Sequence, residues 1–307
     1  MSRLQIYEQL QPLRTEAPSA VALGFFDGVH IGHRSVIQAA VRHALAHGLA
    51  PAVFTFSLPA GSALKGGRII TDNGKHRCME ALGVKHCMEP PFEAFCGLEP
   101  EAFVRDVLIG LYNARAVFCG DNFTFGKRAA GNVQLLRALC EPAGVQVHQV
   151  DMARYEGRLV SSTRIRAALE AGDIPAANAM LGRPYCIDFA VCHGKGLGRT
   201  LGFPTINQVY PAGFVMPKFG IYITRVRVGE NWYPSATGLG TRPTVNQTGE
   251  GPTCETFIPG FEGQLYGEHP QLEFYQYIAP SRKFASLEEL KACVDDAAAR
   301  AEAYFAP

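Results

Sequence analysis

Two histidines, His30 and His33, stand three residues apart in the stretch GFFDGVHIGHRSV at 24–36. Residues at that spacing share one face of a helix, so both imidazoles can address a single bound group if a helix begins there. Gly24 ends an apolar run with little bulk, and Asp27-Gly28 form a turn before HIGHR opens the helix. Backbone N–H groups at a helix start, together with the macrodipole, favour an anion. Imidazole donors beside it would stabilise charge growing on a phosphate during transfer. Two other readings compete. The histidines could be metal ligands, although no Cys, His or carboxylate cluster offers partners at suitable spacing, or they could simply cap the helix.

A second group lies in VSSTRIRAALEAGDI at 160–174, where Ser162 and Thr163 open a helical pattern and Arg164 and Arg166 follow. Ser or Thr there is ordinarily an N-cap. A capped helix start followed by arginine is also a good phosphate clamp, because guanidinium binds phosphate bidentately. Between the two groups, GDNFTFGKRAAGN at 120–132 follows the apolar run RAVFC and places Asn122 in a polar, Gly-bounded loop. An ordinary surface loop is the plainer alternative for it.

The richest stretch is HGKGLGRTLGFPTINQ at 193–208. Gly194, Gly196, Gly198 and Gly202 let backbone approach a ligand closely, and Lys195 and Arg199 add positive charge. The GK[ST] ending of a P-loop is absent, and a Gly-rich hairpin is the alternative. If the chain is extended after Phe203-Pro204, Thr205 and Asn207 point to one face. A hydroxyl and a carboxamide oxygen are hard, neutral ligands suited to Mg²⁺; a Thr-Asn pair making turn hydrogen bonds is the rival. In CETFIPGF, an extended chain puts Glu255 on the face of Phe257, opposite Cys254 and Thr256. Partial desolvation beside the aromatic would raise its pKa and suit it to general-base work, whereas most strand glutamates are solvated. His193 reads as structural.

These residues need elements to hold them. Apolar runs at 21–26, 52–56, 84–88, 115–119 and 145–150 alternate with helical patterns at 36–45, 75–82, 101–112 and 132–140. Such alternation predicts a mainly parallel sheet with helices on both faces, binding ligands at the carboxyl ends of its strands. After LGRPY at 181–185 the grammar changes to alternating β-branched and aromatic runs at 186–192, 221–228, 253–258 and 271–278. These predict a small antiparallel barrel. One long helix follows at 286–305, with Ser286 as N-cap and Glu289 completing a capping box.

Composition narrows the class. Among 307 residues, 29 Lys+Arg nearly balance 28 Asp+Glu, which argues against a phosphate-gripping nucleic-acid partner or an anionic membrane. Nine cysteines include no CxxC pair, as expected of reduced thiols. No apolar run approaches a membrane span and the first residues lack a signal-peptide core, so a cytoplasmic location is expected. Oligomeric state is left open.

The motifs GFFDGVHIGHR, GDNFTFGKRAAGN and VSSTRIR, in this order, resemble the adenylyltransferase module of bacterial bifunctional riboflavin kinase/FAD synthetases. LGRTLGFPTIN, KFGIYI, GLGTRPTVN, CETFIPGFEGQLYG and the KFASLEEL helix start are similar to the kinase half of the same family. The resemblance covers essentially the whole chain. It implies an α/β Rossmann-like nucleotidyltransferase domain at 1–184, followed by a small antiparallel β-barrel riboflavin kinase domain at 185–307 with a C-terminal helix. It implies ATP contacts from Gly24, Phe25, Asp27, Gly28, His30, His33, Ser162, Thr163 and Arg166 in the first half, and from Gly196, Gly198, Thr205 and Asn207 in the second. Flavin contacts would come from Asn122, Phe203 and Pro204. Thr205 and Asn207 would place Mg²⁺, and Glu255 would activate the riboflavin 5′-hydroxyl. The implied substrates and products are riboflavin, FMN, FAD and ATP, with no nucleic-acid or membrane partner. The chain departs from the family after the second strand, where a Pro-His-Pro-like turn is usual and Ser57-Leu58-Pro59 stand instead. A monofunctional kinase with an impaired first half and a non-catalytic flavin sensor are the rival readings.

Overall fold

The computed structural model describes residues 3–58, 66–194, 203–241, 251–282 and 284–306. The chain folds as two compact units, one of residues 1–62 with 75–161 and the other of 63–74 with 162–307.

The first unit is built on a parallel sheet. Strands β2 (Ser19–Leu23) and β3 (Ala50–Phe54) are buried along their whole length, as expected where helices cover both faces of a parallel sheet. With β1 (Gln5–Tyr7), β4 (His86–Met88), β5 (Ala114–Gly120) and β6 (Gln146–Val150), they form a six-stranded sheet in the order β1-β4-β3-β2-β5-β6. Every adjacent pair is parallel. From β2 the chain winds one way to β3 and β4, then returns to β5 on the other side. The loops after β2 and β5 therefore diverge, and a crevice opens between them at the carboxyl ends, where doubly wound sheets bind ligands.

Helix α1 (Ile31–His47) follows β2 and turns Val36, Ile37, Ala40, Val41 and Ala44 into the core. Gly48 ends it in the left-handed conformation, φ 65°, donating its N–H to Ala44. Helix α2 (Asp72–Ala81) precedes β4, α4 (Val133–Cys140) precedes β6, and a short antiparallel hairpin of β7 (Arg154–Tyr155) and β8 (Arg158–Leu159) follows it. The helix predicted at 101–112 is present but unusual: α3 (Pro100–Ala102) runs into a wide π-wound stretch, Phe103–Leu111. Its last turn closes with the Tyr112 N–H on the Val107 carbonyl, 3.1 Å. The buried Tyr112 hydroxyl then donates to the Val53 carbonyl at 2.7 Å, tying this helix to β3.

The second unit carries α5 (Ser162–Ala171), α6 (Ile174–Leu181) and an antiparallel sheet. The sheet strands are β9 (Tyr185–Ile187), β10 (Val191–Cys192), β11 (Thr205–Val209), β12 (Gly220–Val228), β13 (Asn231–Gly240), β14 (Thr253–Phe257) and β15 (Gln271–Pro280). Their order is β10-β11-β14-β13-β12-β15-β9, curled into a half-barrel. Its interior is lined by Tyr185, Tyr222, Leu272 and Phe274 and by a chain of buried hydroxyls. Thr224, Thr237 and Thr256 are linked at 2.8 Å each, and Ser235 lies 2.8 Å from Thr224, so each buried hydroxyl is satisfied. Asn178 of α6 clamps two strands, donating to the Phe274 carbonyl at 2.8 Å and accepting from the Tyr185 N–H at 2.7 Å. Helix α7 (Leu287–Phe305) packs on β12 and β13. Ser286 caps it by accepting from the Glu289 N–H at 3.2 Å, and the Glu289 carboxylate accepts from the Ala285 N–H rather than that of Ser286.

Candidate functional sites

In the first unit, the strand predicted to reach residue 26 stops at Leu23, and the chain breaks into a tight, buried loop. The Val29 N–H bonds back to Phe26 at 3.1 Å. Phe26 and Val29 hold φ of 54° and 41°, and Gly28 of 81°. A positive φ at a β-branched residue is strained, and such strain collects where a ligand site dictates the backbone. Gly24 is required by packing: a Cβ there would stand 2.8 Å from the Phe26 ring.

This loop delivers His30 as the N-cap of α1, its Nδ1 accepting from the His33 N–H at 3.3 Å. An accepting Nδ1 puts the neutral ring's proton on Nε2. The His30 and His33 rings stack with centroids 3.5 Å apart, 19° from parallel, and the edge of Phe26 meets His33 at 5.4 Å. His30 and Asp27 are buried, with His33 half-buried beside them. The capping role left open by the sequence is therefore real for His30. It leaves both imidazoles side by side at the positive end of α1, the arrangement an anion needs.

Phe25 stacks on Phe56 at 4.6 Å, and Phe56 meets Phe92 and Phe95 at 5.2 and 5.6 Å. The loops following β2, β3 and β4 thus share an aromatic surface that the sequence reading missed, because its members are far apart in the chain. Behind it, the Lys75 ammonium lies 5.8 Å over the Phe25 ring and pairs with Glu89, which also meets His76 at 2.6 Å. Burial opposes ionisation of Glu89. The His76 hydrogen bond and the Lys75 charge outweigh it and hold the carboxyl below the usual carboxylate range. Ser57 and Leu58, where the chain departs from the family turn, are half-buried at the end of this surface, and Pro59 lies outside the described residues.

Asn122 is exposed on the loop after β5, the neighbour of β2 across the switch point. That loop is ordered by a two-way bridge between Phe125 and Gly131, 3.0 and 2.8 Å, and by Asn132, which caps α4 through the Leu135 N–H. Ser162 and Thr163 open α5 within the second unit. Arg166 on the same helix is buried, and its Nε donates to the Gly67 carbonyl at 2.6 Å. A side chain at Gly66 would strike the Arg166 stem at 2.8 Å.

In the half-barrel, strand pairing brings the predicted residues together. Asn207 lies opposite Glu255, and Thr205 opposite Phe257. Thr205, Asn207, Glu255 and Phe257 thus share one face, while Cys254 and Thr256 point inward and are fully buried. Gly194 passes so close to the buried Asn207 that a Cβ there would lie 2.5 Å from its amide nitrogen. A cleft of 380 Å³ opens on this face, lined by Phe203, Thr205, Glu255 and Phe257 from one side and by Leu290, Cys293 and Val294 of α7 from the other. Phe203 is buried and meets Phe257 edge-on at 6.3 Å, with Pro204 exposed beside it. The expectation of a desolvated Glu255 fails: its side chain lines the cleft yet is exposed. His193 stacks on Tyr266 at 3.9 Å. Gly196 and Gly198 lie outside the described residues.

A doubly wound sheet with paired histidines at a helix entrance, joined to a half-barrel with a Thr-x-Asn and Glu rim, defines a two-part phosphorus-transfer protein. Residues 13–164 match the FAD synthetase family and residues 181–305 the riboflavin kinase family. The chain is 34% identical over 298 residues to the bifunctional riboflavin kinase/FMN adenylyltransferase of Bacillus subtilis, covering 94% of this chain and 93% of that protein. It is 33% identical to the Listeria monocytogenes protein of the same description, covering 95% and 94% of the two chains. For the Escherichia coli K12 protein the identity is 32%, with coverage of 89% and 88%. A solved structure described as a macrolide-efflux protein from Streptococcus pneumoniae matches 99% of both chains with a TM-score of 0.85 at 26% identity. The chain belongs to the bifunctional riboflavin kinase/FMN adenylyltransferase family, enzymes of FAD biosynthesis. No helix among the described residues is long and apolar enough to cross a membrane.

Proposed function

We propose that this chain performs both reactions of its family in sequence. Residues 185–307 move the terminal phosphoryl of ATP to the riboflavin 5′-hydroxyl, giving FMN. Residues 1–184 then join FMN to the adenylyl group of a second ATP, giving FAD and pyrophosphate. The observation that carries the reading is the in-register pairing of the buried Asn207 with Glu255, which with Thr205 lines a cleft.

In the kinase step, the apolar walls from Phe203, Leu290 and Val294 hold the flavin ring system and direct its ribityl chain to the rim. Glu255 takes the proton from the 5′-hydroxyl as that oxygen attacks the γ-phosphorus and ADP departs. The Thr205 hydroxyl and the Asn207 carboxamide oxygen are hard, neutral donors on one strand face, which fits a magnesium ion. When bound, Mg²⁺ neutralises and orients the ATP phosphates. Gly194, and by the resemblance Gly196 and Gly198, bring backbone close to the nucleotide.

In the adenylyl step, the FMN phosphate attacks the α-phosphorus of ATP directly and pyrophosphate leaves. The start of α1, His30 and His33 hold the phosphates and stabilise the growing charge. Gly24, Phe25, Asp27 and Gly28 shape that pocket. Ser162, Thr163 and Arg166 add ATP contacts, and the Nε bond to Gly67 fixes the plane of the Arg166 guanidinium. The flat aromatic surface of Phe25, Phe56 and Phe92 suits a flavin ring, with Asn122 supplying a polar contact. The balanced charge supports work on small molecules, and we place that work in the cytoplasm.

Product analysis with riboflavin, ATP and Mg²⁺ tests the reading. FAD from the wild type, FMN alone from His30→Ala, and neither from Glu255→Ala would assign the two halves. A wild type that stops at FMN would show that the Ser57-Leu58 departure has disabled adenylylation. Flavin binding without turnover would leave only a sensor.

A further inference from the structure

Helix α7 forms one wall of the half-barrel cleft, and its far end is held by a cluster that neither proposed reaction uses. Leu290, Val294, Ala297, Ala301 and Phe305 follow one another at the three- and four-residue spacing of a single helix face. Leu290 and Val294, with Cys293 beside them, line the cleft and are half-buried. The buried Ala297, Ala298 and Ala301 are the seat of the helix on β12 and β13. Phe305 closes the stripe in the last turn. The face thus carries large side chains at its two ends and alanine between them.

Phe305 docks on a preformed cation. Arg225 of β12 and Glu273 of β15 are cross-strand partners, the guanidinium Nε donating to the carboxylate at 2.6 Å. The Tyr275 hydroxyl donates to the same carboxylate at 2.7 Å. So fixed, the guanidinium lies 4.3 Å from the Trp232 ring of β13, 5.3 Å from Tyr275 and 5.9 Å from Phe305, within the range of cation–π attraction. Phe305 also meets Tyr275 edge-on at 4.8 Å and 88°, an arrangement aromatic pairs prefer. Ile221 of β12 lines the cleft, and Arg225 shares its strand face. Cluster and cleft therefore lie on one side of the sheet, about 13 Å apart along the strand. The front of the helix has a weaker hold: its Arg282–Glu289 pair, 3.1 Å, is solvated, and such pairs contribute little.

We propose that Arg225 and Phe305 are positioning residues for the kinase half, fixing the tilt of α7 on its alanine seat and thereby the width of the flavin cleft. The inference rests on the reading of that cleft as the riboflavin site. Val294 to Phe305 spans about 16 Å along the helix axis, so Phe305 acts through the helix and not on the ligand. Alanine methyls present low ridges to the sheet, and the angle of the helix is set where its large side chains pack. Releasing Phe305 lets the front of α7 move away from Phe203 and Phe257 across the cleft, and the apolar flavin ring loses that wall. The contacts proposed for Thr205 and Asn207 are made from β11 and not from the helix. Flavin affinity therefore changes while nucleotide affinity does not.

Steady-state kinetics of Phe305→Ala in the full-length protein test this, with tryptophan emission as a direct report on the cluster. Trp232 is the one tryptophan of the chain and the nearest of the three rings to Arg225. Its emission should change in the variant. The KM for riboflavin should rise about tenfold while kcat and the KM for ATP stay within about twofold, the signature of lost uniform binding. FAD formation from supplied FMN should be unchanged, and Phe305→Tyr should restore the riboflavin KM. The double variant Arg225→Met/Glu273→Gln removes the ion pair without stranding a carboxylate. It should raise the same KM, and adding Phe305→Ala should raise it no further, because the two residues act as one unit. An unchanged riboflavin KM in Phe305→Ala, with or without a lower melting temperature, would overturn the inference, as would an equal rise in both KM values. A wild type that makes no FMN would overturn the reading of the cleft instead.

Discussion

Asn207 of β11 and Glu255 of β14 are direct cross-strand partners, so a carboxamide and a carboxylate stand side by side on the outward face of the half-barrel. Such neighbours lie about 4.5–5.5 Å apart at their Cβ atoms, close enough to serve the two ends of one transferred phosphoryl group. Replacing Glu255 by Gln keeps the shape and removes the base. Riboflavin phosphorylation should fall about 10²- to 10⁴-fold, while FAD formation from supplied FMN continues unchanged. Because Glu255 is exposed, stability should stay within about 0.5 kcal/mol of the wild type. Flavin chromatography and a denaturation curve check both parts.

Gly194→Ala probes the other member of the pair. The added methyl would sit 2.5 Å from the Asn207 amide nitrogen, and the amide is already buried, so it must turn or shift. The expected result is a kinase kcat/KM for ATP lowered about tenfold, equivalent to about 1.4 kcal/mol of transition-state binding. The adenylyltransferase should be unaffected. An unchanged KM for ATP would mean that Asn207 does not touch the nucleotide.

The two histidines at α1 should separate by stability. His33→Ala removes a donor without removing the cap, so FAD synthesis should fall about 10²- to 10³-fold with little change in melting temperature. His30→Ala should lose comparable activity and, because its Nδ1 caps α1, about 1 kcal/mol of stability as well. Thermal melts beside FMN-to-FAD rates distinguish these outcomes.

Glu89 makes the acid limb of stability predictable. Its carboxyl is held below the ordinary range in the folded protein, so its contribution is complete above the unfolded carboxylate pKa. It disappears as the pH falls through the folded value. Denaturant titrations between about pH 3 and pH 7 should show a steeper acid loss for the wild type than for Glu89→Gln. Lys75→Met leaves a buried carboxylate without its cation and should cost about 3–5 kcal/mol near neutrality.

The sequence makes some of this architecture plain and hides the rest for physical reasons. The strands β2, β3 and β5 are mostly apolar because both faces of a parallel sheet are covered, and they are legible as runs, although the runs at 21–26 and 52–56 overshoot the ends of β2 at Leu23 and of β3 at Phe54. The alternation that puts Thr205 with Asn207, and Glu255 with Phe257, needs only the two-residue period of a strand. By contrast, β13 contains Pro234, Gly238 and Gly240, residues that argue against a central strand when read locally. Cys293 and Val294 enter the cleft only because one particular face of α7 meets the sheet. The exposure of Glu255 depends on what packs around its strand, which no spacing specifies. The pairing of Phe25 with Phe56 and the Lys75–Glu89 pair join segments that pattern alone does not connect.

The segment before α2 carries a lesson about taking the enzyme apart. Arg68 exchanges backbone hydrogen bonds with Gly213 and Val215 at 2.7 and 2.9 Å, the Thr71 hydroxyl reaches Asp188 at 2.6 Å, and Gly67 receives Arg166. An early stretch of chain is thus stitched into a body otherwise made from the last half of the sequence. A kinase fragment expressed from residue 185 onward would be an amputation rather than a module. It would lose the Thr71 partner of Asp188 and the Arg68 backbone partner beside Phe214, and a scar would remain where a seam had been. Transplanting either activity into another protein therefore calls for a graft of two separated stretches of chain, and the bifunctional polypeptide resists being divided into two single-function genes.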